Sequence, residues 1–94
     1  MSQPPEKYTV TLSARAARAL NETIPVKYVA AIFAFIVGPL AENPYRVGHL
    51  LAEPFAGAYS ARRGVYRIIY YIHEDQVLVE EVWIAHRAVI YRPS

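Results

Sequence analysis

The chain has 94 residues, 54% hydrophobic and 19% charged, with 10 lysine and arginine side chains against 8 aspartate and glutamate. That length holds one core rather than two, and so apolar a composition folds instead of staying disordered, so residues 1–94 are read as a single domain. No cysteine is present, which excludes disulfides and thiolate chemistry and agrees with a cytoplasmic setting. The first six residues, MSQPPE, hold no apolar signal region and read as a disordered lead. The longest apolar run, Tyr28–Val37, has ten residues, about half of what a membrane span needs, so no membrane partner is expected.

Tyr8–Leu12 alternates apolar and polar residues and predicts a strand with Tyr8, Val10 and Leu12 facing inward. Ser13 is placed to cap the helix ARAARALNET that follows. In it Arg15 and Arg18 share a face, which reads as a solvated one. Pro25 suits the first turn of a second helix. There Val29, Ile32, Phe33, Ile36, Val37 and Leu40 form one apolar stripe, wide enough to cover a sheet. Gly38–Pro39 predicts a kink in its last turn, and Asn43–Pro44 ends it. Tyr45–Gly57 has no clean period and reads as a crossing loop with a short turn.

Ala58–Ile72 predicts a β-hairpin, with strands Tyr59–Arg62 and Val65–Ile72 and a turn at Arg63–Gly64. Counting by two, Tyr66, Ile68, Tyr70 and Ile72 form the core face, and Val65, Arg67, Ile69 and Tyr71 the other. A regular register adds Ser60 and Arg62 to the arginine side. Between residues 54 and 73 there are three arginines and no carboxylate, a local excess that a net charge of +2 conceals. His73–Gln76 reads as a polar turn, Val77–Ala85 as a further strand interrupted by Glu80 and Glu81, His86–Tyr91 as the last structured piece, and 93–94 as a tail. The order implies an α+β fold: an N-terminal strand, then a two-helix hairpin packed on one face of a mostly antiparallel four-stranded sheet, the other face left open.

His49, His73 and His86 lack the spacing and companions of a metal site, and no glycine-rich phosphate loop or hydrolase triad pattern occurs, so neither metal nor cofactor is expected. An open sheet carrying arginines and tyrosines suits phosphates and unstacked bases instead.

SARRGVYRIIY, preceded by ENPYRVGHLL and followed by AHRAVIYR, resembles the RelE/ParE superfamily of bacterial toxins, most of all its RelE branch. The likeness spans roughly residues 7–92, with the motifs in the family's order. It implies a RelE-like fold and a cytoplasmic toxin of a type II toxin–antitoxin system: an endoribonuclease that cleaves mRNA in the ribosomal A site and inhibits translation. Its partners would be the ribosome with its mRNA, and a small, partly disordered antitoxin with a DNA-binding half. Carried over by position, Arg67 would hold the scissile phosphate. Arg62 matches the basic residue ending the preceding strand, Arg87 the one near the C-terminus with His86 before it, and Tyr91 the terminal aromatic that stacks or assists proton transfer. Arg46 matches a basic loop residue, and His49, Arg63 and Tyr71 complete the expected RNA contacts. The chain departs from the pattern in lacking the family's lysines: Ser60 stands where the first hairpin strand carries one, His49 and Ala52 occupy basic loop positions, and no lysine follows Lys27. Arginine is a poor base, so His86, His49 and Tyr91 are the candidates for proton transfer. Two other readings fit the same resemblance, a DNA gyrase inhibitor of the ParE kind and a toxin-fold binding protein without activity.

Overall fold

A computed structural model of the chain describes residues 7–84. His86, Arg87 and Tyr91, the expected lead and the tail lie outside the described residues. Strand β1 spans Thr9–Leu12. Its Val10 and Leu12, with Tyr8 just before it, pack against the core as the alternation predicts.

Ser13 ends the strand and caps the next element. Its Oγ accepts from the Ala16 N–H at 3.0 Å and donates to the Glu80 carbonyl at 2.6 Å, so one hydroxyl both starts a helix and ties it to the sheet. Helix α1 runs Ala14–Arg18 and widens into a π turn over Ala19–Thr23. Helix α2 begins at Val26, one residue after Pro25, and runs to Phe35, continuing as a π turn over Ile36–Leu40 with Pro39 inside it. Proline has no N–H for the ordinary i→i−4 bond, and the wider i→i−5 closure of a π turn suits a stretch that contains it.

The apolar stripe of α2 is wider than its contact with the sheet. Ile32, Ile36 and Leu40 are buried and Val29 partly so, whereas Phe33 is 50% and Val37 43% exposed. At about 100° per residue the six predicted positions span roughly 140° of the helix, more than one flat contact covers. With Val26 and Ala30, the outer two make an apolar strip facing water.

The expected crossing loop contains two short elements: helix α3, Pro44–Val47, and strand β2, His49–Leu50. The sheet therefore has five strands where four were expected. Strand β3 is Tyr59–Arg63, β4 is Tyr66–His73 and β5 is Gln76–Ile84. Their order is β1-β5-β4-β3-β2, with β1 parallel to β5 and every other pair antiparallel. Arg63 belongs to β3 and pairs with Tyr66, so the first hairpin turn is Gly64–Val65, one residue later than predicted. Gly64 supplies the positive φ of +62° that a two-residue hairpin loop asks of its first position. Glu74, at φ +56°, serves the second turn.

Between β4 and β5 the register slips. Ile69 faces Glu81 but Tyr70 faces Val79, so Glu80 is an extra, bulged residue. Its freed carbonyl is the one that accepts from Ser13. The core lies between the helices and one sheet face, with Ala16, Leu20, Ile32, Ile36 and Leu40 against Tyr66, Ile68, Tyr70, Val77, Val79 and Val82. Tyr70 is fully buried, and its hydroxyl donates to the Pro44 carbonyl at 2.7 Å. Burial above all, and Tyr59 beside it, push its phenol pKa up.

Candidate nucleic-acid interface

The register of the sheet decides what faces away from the helices. Directly opposed residues on antiparallel strands point to the same face. Arg62 pairs with Arg67, and Arg67 with Trp83, so these three form one row across β3, β4 and β5. Ser60 pairs with Ile69 and Ile69 with Glu81, and His49 joins that second row by pairing with Ser60. Tyr71, paired with Leu78, lies further along on the same side. An Arg67 Nη donates to the Ser60 Oγ at 3.4 Å, which steers the guanidinium along the sheet. The Arg62 Nε reaches the Gly64 carbonyl, also at 3.4 Å.

Two cations facing each other across adjacent strands are electrostatically unfavourable. Their Cβ atoms lie about 5 Å apart in such a pair, with the guanidiniums turned apart toward Gly64 and Ser60. A phosphate placed between them reverses the sign, because each guanidinium offers a planar fork of donors to its oxygens. The nearest carboxylate of the second row, Glu81, is engaged by Arg15 at 2.9 Å. Arg15 keeps the solvated face expected for it, its side chain 70% exposed, and from there holds an acid at the margin of the arginine row.

This face is not bare, as the sequence reading expected. Segment 51–58 folds back over it, closed by backbone bonds from the Leu51 N–H to the Ala58 carbonyl at 2.8 Å and from the Ala58 N–H to the Phe55 carbonyl at 2.9 Å. Phe55 reaches across to Trp83 on β5, ring centroids 6.4 Å apart and planes 74° apart. Since β4 lies between β3 and β5, Phe55 overhangs β4. Ile69 and Ser60, on the supposedly open side, are accordingly only 3% and 1% exposed.

The other expected contacts divide. His49 is exposed and stands on the arginine side. Arg63, opposite Tyr66, falls on the helix side, beside Tyr28, Ala31 and Ile32. Arg46 is exposed on α3, whose neighbours Pro44 and Tyr45 pack against Tyr70 and Tyr59 on that same side. Arg63 is therefore not on the face of the Arg62–Arg67 row. Tyr59, Tyr66 and Tyr70 also face the helices, so of the hairpin tyrosines Tyr71 alone is on the arginine face. His86, Arg87 and Tyr91 lie outside the described residues. Among the described residues no group of three or more histidine or carboxylate side chains could hold a metal ion. Among the described residues no helix is long and apolar enough to cross a membrane.

Trp83 and Phe55 are site residues that the sequence reading did not single out. By simple alternation from the buried Val77 and Val79, Trp83 would be a core residue. The bulge at Glu80 reverses the parity and turns it outward. Two successive glutamates in an otherwise apolar strand were the available signal, since unbroken alternation would have buried one of them.

No protein-family model matches the chain. It is 44% identical over 85 residues to Toxin RelE of Mycobacterium tuberculosis, covering 90% of this chain and 87% of that protein. To Toxin RelG of the same organism it is 41% identical, covering 90% and 97%. Among solved structures it resembles a chain of the toxin–antitoxin complex RelBE2 of Mycobacterium tuberculosis, with a TM-score of 0.78 and 38% identity over 83% of this chain and 91% of that one. The isolated Escherichia coli RelE toxin, with a TM-score of 0.67 and 19% identity over 89% and 90% of the two chains, shares the fold. So does a chain of the chromosomal ParDE system of Pseudomonas aeruginosa, at 0.64 and 14% over 85% and 98%. A fold common to both kinds of toxin does not separate them, but identity above 40% across nine-tenths of the chain does bear on kinship: the chain belongs to the RelE family of toxins of type II toxin–antitoxin systems.

Proposed function

We propose that the protein is a ribosome-dependent endoribonuclease that cleaves mRNA in the A site and thereby inhibits translation. The observation that carries this reading is Arg62 facing Arg67 across β3 and β4 on the side away from the helices. In the reaction a ribose 2′-hydroxyl attacks the adjacent phosphorus, its proton passing to a base. The 5′-oxygen leaves with a proton from an acid, giving a 2′,3′-cyclic phosphate and a free 5′-hydroxyl. Negative charge grows on the non-bridging oxygens, where Arg67 and Arg62 stabilise it. Arg87 adds to that clamp, while His86 or Tyr91 moves protons and His49 lines the RNA path. So small a set of proton-transfer groups makes the ribosome the agent that aligns the 2′-hydroxyl for attack.

The partner on this reading is a small antitoxin, half of it DNA-binding. Its acidic, amphipathic segment folds on binding and covers the arginine face, acting in the cytoplasm where the ribosomes are. The relative solved as a toxin–antitoxin complex supports such a partner.

Primer extension of ribosome-bound transcripts after induction tests the reading. The expected result is cleavage at A-site codons that Arg67→Ala abolishes. Cleavage that survives this substitution unchanged would refute the role given to Arg67. Intact transcripts with damaged DNA would instead place the chain with the gyrase inhibitors, and no growth defect without antitoxin would mark an inactive toxin fold.

A further inference from the structure

We propose that Phe55 and Trp83 form a stacking platform for one nucleobase, set beside the arginine pair that holds the phosphate. The inference rests on the RNA-binding reading above and assigns the base contact to residues outside the expected set. Three observations lead to it. Trp83 is the direct cross-strand neighbour of Arg67, which is in turn the neighbour of Arg62. The two residues are thus one strand spacing apart, about 4.8 Å between backbones, and project to the same face, a spacing comparable to that between a nucleotide's phosphate and its own base. Phe55 is carried over β4 by the turn of segment 51–58 and meets Trp83 edge to face. Two rings at such an angle form a corner, in which a third flat ring lies against one face and meets the edge of the other. Lastly, three of the four hairpin tyrosines, Tyr59, Tyr66 and Tyr70, are committed to the core, and the fourth, Tyr71, lies two positions beyond Ile69 and away from the Arg62–Arg67 row. Tyr59 stacks on Tyr70 at 5.7 Å and Tyr66 meets Tyr28 at 5.6 Å.

Phe55 is half-buried and stands outside the hydrophobic core. It sits between exposed Pro54 and Ala56, on a loop that Gly57 closes at φ +91°. An aromatic ring held on a loop over a cationic row is the arrangement by which single-stranded nucleic acid is gripped without sequence preference, because every base has a π-face. The occupant is a base of single-stranded RNA. Arginine supplies the charge and the two rings supply the plane.

Trp83 is the chain's one tryptophan, so its fluorescence reports the platform directly. The test titrates the protein with an all-2′-O-methyl RNA hexamer, which has no attacking hydroxyl, and with the same hexamer made abasic at one internal position at a time. Binding is read by anisotropy of a labelled end and stacking by tryptophan quenching. The wild type should quench with the full hexamer, and one abasic position should remove the quenching and weaken binding about 5- to 150-fold, the contribution of one stacked base. Phe55→Leu, which keeps apolar bulk, should lose a comparable factor for the full hexamer and none for the abasic one, and Phe55→Tyr should restore it. The same order, wild type and Phe55→Tyr above Phe55→Leu, is expected for transcript cleavage on ribosomes. Arginine-dependent binding with no quenching, and equal affinity for full and abasic hexamers, would overturn the platform while leaving the phosphate grip standing. Binding and cleavage that ignore both Arg67→Ala and the Phe55 variants would overturn the RNA reading itself and the platform with it.

Discussion

Replacing Arg62 with glutamine should make the protein more stable and less active, with a gain that salt erases. Arg62 faces Arg67 on the neighbouring strand. The guanidiniums turn apart, Arg67 toward Ser60 and Arg62 toward Gly64, so their charges stand further apart than the Cβ atoms. At a separation on the order of 8 Å the repulsion is roughly 0.5 kcal/mol in a water-like dielectric. With Debye lengths of about 30, 8 and 3 Å at 0.01, 0.15 and 1 M salt, screening leaves about 0.4, 0.2 and 0.04 kcal/mol. Urea is the denaturant of choice because it adds no ions. At a slope near 1 kcal/mol per molar, typical of a small domain, the unfolding midpoint of Arg62→Gln should exceed the wild type by about 0.4, 0.2 and 0.04 M urea at the three salt concentrations. The hydrogen bond that the variant loses, Arg62 to the Gly64 carbonyl, is 3.4 Å long and exposed, so it subtracts little. Removing one charge-assisted bond to a phosphate should meanwhile slow cleavage about ten- to hundredfold. A midpoint that falls, or a gain that stays constant from 0.01 to 1 M salt, would refute the view that the mutual repulsion of the paired arginines is tolerated for the sake of an anion.

Other substitutions test the frame that presents the site. A Cβ on Gly48 would meet the Tyr70 hydroxyl and come within 2.7 Å of the Ser60 carbonyl, so Gly48→Ala should cost about 1–3 kcal/mol by urea unfolding. Ser13→Ala removes both the cap of α1 and the bond to Glu80, and should cost about 1–2 kcal/mol in the same assay. Tyr70→Phe leaves the Pro44 carbonyl without its donor and should cost about 1–3 kcal/mol at neutral pH. It should also flatten the alkaline limb of the stability profile. The folded state raises the Tyr70 pKa, so it keeps a proton that the unfolded chain gives up above about pH 10. Wild-type stability is therefore intact below that pH and falls above it by up to about 1.4 kcal/mol per unit, until the folded value is passed. The variant should lack that one-proton slope, which denaturant titrations between pH 9 and 11 would show.

The sequence made the hairpin legible because the residues of β4 sort by two into a core face and an arginine face and a glycine marks the turn, but counting from the predicted turn sets Arg62 opposite Val65, and only a turn one residue later pairs it with Arg67. The first strand and its Ser13 cap were legible for the same local reasons. What escaped has no period to read. Strand β2 is two residues long, and its pairing with β3 is a tertiary event. The segment that folds over the arginine face carries Phe55 by virtue of a loop path that composition does not encode. The bulge shifted parity within one strand, so alternation alone puts Trp83 inside and only the pairing turns it outward. Phe33 and Val37 belonged to an apolar stripe whose width was visible, but the extent of the surface that would cover it was not.

The arrangement of the sheet also governs when the protein comes into being. Strand β1 leaves the ribosome first, yet its partner β5 is the last of the described strands to be made, with Thr9 aligned beside Gln76. Until β5 emerges, β1 has nothing to pair with, β4 lacks one neighbour, and the indole beside Arg67 has not been synthesised. Contacts so distant along the chain form slowly. A half-made chain thus lacks the row of Arg62, Arg67 and Trp83 that only β5 completes.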